Sequence, residues 1–196
     1  EIAQANRDPF RILVSTMISL RTKDDVTMAA SDRLFGQADT PETVAAMGEV
    51  EIARLIYPAG FYRTKAKNIR AVAESIAAKG HVPNTVDELT AFPAVGRKTA
   101  NLVLNLGFGI PAICVDTHVH RIANRFGWIT TRTPEQSEQA LMAIVPRKHW
   151  IETNELLVAF GQKVCTPTSP RCSECPFAPS ARRAAGIPFC ARVGVT

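Results

Sequence analysis

The chain has 196 residues, 46% of them apolar, and a formal charge of +5. That length suits one compact domain or two small ones, with enough apolar content for a core in each. No apolar run approaches the roughly 18 to 20 residues of a bilayer span, and Glu1 onward lacks the cation-then-apolar layout of a signal peptide, so a cytoplasmic globular protein with no membrane partner is expected.

In chain order the punctuation is helical. "EIAQANRDPF" enters the first helical pattern almost at once, which leaves room for a missing upstream element. Asp8-Pro9, Thr40-Pro41 and Thr133-Pro134 each set a capping oxygen before a proline suited to the first helical position. Thr85 with Glu88 and Thr133 with Gln136 have capping-box spacing. Apolar residues at three- and four-residue intervals follow in "FRILVSTMISL", "TVAAMGEVEIARLIY", "AKNIRAVAESIAA", "ANLVLNLGF" and "SEQALMAIV", which predict helices. Only Ile110 to Val115 reads as a short strand or a buried connector.

Between "TVDELTAF" and the helix starting near Arg97, "FPAVGRKTA" sets Pro93, Val95 and Gly96 in a tight turn. A small residue at Gly96 permits close approach of a partner's backbone, and the amides of the next helix can grip a phosphate. This is the logic of a helix-hairpin-helix motif; the pattern usually carries glycine where this chain has Ala94, and an ordinary helix hairpin is the alternative. Arg97 and Lys98 occupy the positive end of the helix dipole, the unfavourable end for cations. They either touch phosphate or serve to activate Lys98 as an amine nucleophile. Lowering its pKa from about 10.4 to about 8 takes roughly 3 kcal/mol, more than a helix terminus supplies, so like-charge repulsion from Arg97 and an apolar pocket would have to contribute.

In "AICVDTHVHRIANRFGW", Asp116 is a helix N-cap, a carboxylate that assists the lysine and stabilises positive charge on a sugar, or both. His118 and His120 have no further acid or histidine to complete a metal set, and packing or capping is expected of them.

After Phe160 helical periodicity fades and four of the five cysteines crowd together. From Leu156 to Thr196 five cations (Lys163, Arg171, Arg182, Arg183, Arg192) face one acid, Glu174. A basic tail suits a polyanionic partner; a solvated face is the bland alternative. Cys165, Cys172 and Cys175 form C-x6-C-x2-C followed by proline, a spacing that favours metal over disulfides. Cys114 reads as buried packing.

Taken together, "FPAVGRKTANLVLNLGFGIPAICVDTHVHRIANR", "DPFRILVSTMISLRTKD", "AGFYRTKAKNI" and the cysteines resemble the endonuclease III family, helix-hairpin-helix DNA glycosylases with AP lyase activity. The resemblance covers nearly the whole chain. It implies an all-α fold of two helical domains: a six-helix barrel over 3–111, with the helix-hairpin-helix near 86–104, and a smaller domain over 112–196 with 1–2 that carries a [4Fe-4S] cluster. The family's N-terminal helix has little counterpart here, so the second domain is expected to rest on the C-terminal segment.

The resemblance further implies a monomer that acts on damaged double-stranded DNA and excises oxidised pyrimidines, in the cytoplasm or on the nucleoid of a prokaryote. Lys98 would attack C1′, expel the base and form a Schiff base, with β-elimination nicking the strand; Asp116 would assist. Val95, Gly96 and Arg97 would hold phosphates, with His118 a further DNA contact. Flipping a nucleotide leaves a gap. The family fills it with a glutamine where this chain has Arg21, and wedges the opposite strand with an aliphatic residue where this chain has Phe61.

The family's fourth cysteine, at C-x5-C, is replaced by Ala181 here, and Cys190 follows after fourteen intervening residues. Cys190 would complete the ligand set, since doubling a loop costs only about 0.6 kcal/mol in closure entropy; three-cysteine coordination or zinc is the fallback. The alternatives to this reading are an AP lyase or mismatch glycosylase paralogue weak on oxidised pyrimidines, and a non-catalytic DNA-binding module. Lys98 argues against the mismatch enzymes, and Asp116 against a module that only grips phosphate.

Overall fold

In a computed structural model, residues 8–177 are described, and all regular structure among them is helical. They fall into two compact units, the first ending at Ile110 and the second beginning at Pro111. The first unit holds α1 (Pro9–Ser19), α2 (Asp24–Phe35), α3 (Pro41–Ala46), α4 (Glu49–Ile56), α5 (Tyr62–Lys79), α6 (Val86–Thr90) and α7 (Arg97–Phe108). The second holds α8 (Thr117–Arg125), α9 (Pro134–Ile144) and α10 (Trp150–Lys163), with short 3-10 turns at Arg147–His149 and Cys172–Glu174.

The caps form where local chemistry demands them. Asp8 accepts from the Phe10 amide at 2.8 Å, Thr40 and Thr43 exchange a reciprocal capping box, and Thr133 accepts from the Gln136 amide at 3.3 Å. Thr85 accepts from the Glu88 amide at 3.4 Å and donates its hydroxyl to Glu88 Oε2 at 2.9 Å. "TVAAMGEVEIARLIY" is two helices: Met47 is extended and Gly48 caps α4, so apolar spacing continues across a break in the backbone. Residues 110–115 form a connector without strand pairing, with Ile113, Cys114 and Val115 buried. Helix α10 was not among the predicted helices; it buries only Thr153, Leu157 and Gly161.

The core of the first unit centres on Phe10, Leu13, Met17, Ile18, Leu34, Ile56, Ile69 and Leu89, all essentially water-free. Helix α1 packs closely on α7 because Gly107 has no side chain: a Cβ there would lie 2.9 Å from Pro9 Cα. The second unit is built on Ile113, Val119, Ile122, Phe126 and Leu141, with an aromatic cluster of Phe126, Trp128, Phe160 and Phe177 around it.

Candidate active site

The turn that introduces α7 is tight. The Val95 amide donates to Phe92 O at 3.3 Å and the Val95 side chain lies in the core, so Val95 holds the turn from within. Ala94 adopts a left-handed φ of 62°, the conformation that explains the usual preference for glycine at this place. Gly96 caps α7 with φ −92° and ψ 174°, a conformation any residue adopts, and nothing lies within 4 Å of where its Cβ would be. Neither backbone strain nor internal packing calls for glycine there. What a side chain at Gly96 would obstruct is an external group approaching the start of α7. Arg97 is half-buried, Lys98 is exposed, and the first turn of α7 contains no acid.

In the second unit Asp116 caps α8: Oδ1 accepts from the amides of His118 and Val119, both at 2.9 Å. The capping role proposed for it is real. His118 Nδ1 faces an Arg121 guanidinium N–H at 3.0 Å, and since arginine only donates, the ring proton belongs on Nε2. A Cβ on Gly161 would sit 2.4 Å from that Nδ1, so glycine makes room for the imidazole against α10. His120 bonds to Ser137 Oγ at 2.6 Å. Both histidines are therefore engaged in packing and hydrogen bonding inside the unit.

Arg21 and Phe61 come together in the first unit. Both are exposed, both have left-handed φ (52° and 57°), and the guanidinium carbon of Arg21 lies 5.7 Å from the Phe61 ring centroid. Phe61 is 65% exposed and is no part of the core. A bulky residue in this backbone region is a strained exception. Beneath the pair lies Lys65, which sequence reasoning passed over. It is buried at 7% exposure, and its ammonium donates to Ile18 O (2.6 Å), Leu20 O (2.6 Å) and Thr22 Oγ1 (2.7 Å). Burial lowers its pKa to about 8. The available signal was its place on the buried face of α5, in register with Ile69, Val72 and Ile76.

Of the cluster candidates, Cys165 is buried and Cys172 and Cys175 are half-buried; Cys190 lies outside the described residues, as do residues 1–2 of the expected second domain. No disulfide joins the described cysteines, and no group of three His, Cys, Asp or Glu among the described residues gathers as a metal site. Arg125 nonetheless braces this segment: it donates to Cys165 Sγ at 3.3 Å, to Thr166 O at 2.8 Å and to Pro167 O at 2.7 Å. Arg121, one turn earlier, donates to Cys165 O at 2.8 Å. Phe177, two residues past Cys175, stacks edge-on against Phe126 and Phe160, so aromatic packing also anchors this segment.

Residues 14–147 match the HhH-GPD superfamily of base excision DNA repair proteins. The chain is 46% identical over 170 residues to endonuclease III of Thermotoga maritima, covering 86% of this chain and 80% of that one. It is 42% identical to the chloroplastic endonuclease III homolog 2 of Arabidopsis thaliana, of which it spans 46% of the length. Among solved structures it resembles a trapped endonuclease III–DNA covalent intermediate with a TM-score of 0.81 at 36% identity, over 88% of this chain and 82% of that one.

Proposed function

Because the chain belongs to the HhH-GPD superfamily of base excision DNA repair proteins, within its endonuclease III family, we propose that it is a bifunctional DNA glycosylase and AP lyase that excises oxidised pyrimidines from duplex DNA. The observation that carries this reading is Lys98, exposed in the first turn of α7 two residues after Gly96, where a side chain would meet nothing within 4 Å. The relative caught as a covalent intermediate with DNA supports the same chemistry.

In this mechanism the amides and dipole at the start of α7 receive a backbone phosphate, and Arg97 adds charge. Unprotonated Lys98 Nζ attacks C1′; the glycosidic bond breaks and its electron pair leaves with the base, which takes up a proton. Opening of the sugar ring gives the iminium. Loss of a proton from C2′ then drives out the 3′ phosphate, which nicks the strand, and water returns the lysine by hydrolysis. Asp116 favours the cationic stages electrostatically and takes part in moving the lysine proton, while its N-cap bonds fix its rotamer. Arg21 fills the gap left by the flipped nucleotide and Phe61 wedges the opposite strand; His118, whose Nδ1 is already taken by Arg121, has only its Nε2 edge left to offer DNA.

Cys165, Cys172 and Cys175, with Cys190, would hold a [4Fe-4S] cluster. Its contribution would be to order the segment, with Arg125 donating a hydrogen bond to Cys165 Sγ. The test of the catalytic assignment is strand nicking on a duplex carrying one oxidised pyrimidine. Lys98→Ala is expected to abolish nicking while retaining DNA binding, and a variant that still nicks at the native rate would remove Lys98 from the mechanism.

A further inference from the structure

The two loops that meet the gap are joined by a buried ammonium. Lys65 offers three N–H groups, and three neutral oxygens receive them: Ile18 O and Leu20 O at the end of α1, and Thr22 Oγ1 just beyond Arg21. The same Thr22 Oγ1 accepts the Gly60 amide at 3.1 Å, next to Phe61. A Cβ on Gly60 would lie 2.5 Å from Arg21 O, so the two backbones touch between the paired side chains. Arg21 and Phe61 then meet above this junction, each in a left-handed conformation that only its surroundings can hold.

A buried cation with uncharged partners is expensive for folding alone. Its geometry suits another purpose. We propose that Lys65, acting through Thr22, is a positioning residue that sets Arg21 and Phe61 as a single preassembled wedge, which enters the duplex as one body when a nucleotide is flipped. The proposal rests on the function assigned above and extends it from two gap-filling side chains to the device that holds them. Preassembly lowers the ordering cost of binding, so the wedge acts on the unstacking step.

Lys65 is buried, and its replacement risks the fold, so the test uses Thr22, which is only half-buried. Thr22→Ser keeps the acceptor and Thr22→Val removes it. Single-turnover base release is measured on a lesion paired opposite a normal base and on the same lesion opposite an abasic site, where little stacking remains to be overcome. Thr22→Val is expected to lose about tenfold or more on the paired lesion, with most of the loss absent from the unpaired one, and Thr22→Ser to restore the native rate. In a Phe61→Ala background, Thr22→Val should cost little further, because both act through one wedge. Equal losses on the two substrates, or additive losses with Phe61→Ala, would overturn the proposal. Failure of the unaltered protein to release base from either substrate would instead count against the glycosylase reading.

Discussion

Ala94 illustrates how much a single backbone angle can reveal. Its φ of 62° costs about 1 kcal/mol or more for an L residue with a Cβ, and glycine would relieve it. Ala94→Gly is therefore expected to stabilise the first unit by roughly 0.5 to 1 kcal/mol after the entropy of the unfolded glycine is subtracted, raising Tm by about 1 to 4 °C. Calorimetry checks this, and an unchanged or lower Tm would contradict it. Sequence pattern flagged Ala94 because a motif position was filled unusually. It did not flag Lys65, whose partners lie 43 to 47 residues away. Lys65 also sets a pH dependence. Its folded pKa, about 8, lies below its ordinary value of 10.5 because burial disfavours the charge. Between those values the unfolded chain holds more protons, so Lys65 contributes stability that grows as pH rises and is lost as pH falls through about 8. The stability of the unaltered protein relative to Lys65→Met should rise by on the order of 3 kcal/mol from about pH 8 to 10.5. Denaturant titration across that range measures it, and a flat or falling difference would refute the burial argument.

Among the elements, α7 carries the proposed nucleophile, and its neighbour α1 packs closely against it. Gly107 is the contact point: the atom that an added Cβ would strike at 2.9 Å is Pro9 Cα, part of a helix backbone that cannot rotate away. Gly107→Ala gains up to about 1 kcal/mol of helix propensity but must spread the two helices, so a net loss of roughly 1 to 2 kcal/mol is expected. Chemical denaturation of the variant would read it, and a neutral or stabilising result would mean that α1 yields more easily than its packing indicates. Helix starts were legible because Asp8, Thr40, Thr85 and Thr133 act on amides two or three residues away. The break between α3 and α4 was not, since apolar spacing runs across Met47 and Gly48 without interruption. Nor was α10, whose solvent-facing Ile151 and Leu156 blur the apolar stripe that marks a helix. The hairpin turn was legible from Pro93 and Gly96, but the openness of Gly96 toward solvent is a property only three dimensions display.

At the scale of the molecule, the proposed site residues are distributed over two helical units: the first holds the hairpin, Lys98 and the Arg21–Phe61 pair, the second the Asp116 cap and the cysteine segment braced by Arg121 and Arg125. The all-helical class and the family were readable in the motifs, whereas the bracing of Cys165 by α8 depends on residues about forty positions apart. The central claim is that Lys98 is the nucleophile. Borohydride reduction during turnover on a duplex with one oxidised pyrimidine, with Lys98→Ala and an abasic duplex in parallel, tests it most directly. A covalent protein–DNA adduct is expected on both duplexes and should vanish in Lys98→Ala. An adduct that persists without the Lys98 amine, or none on either duplex with the unaltered protein, would contradict it.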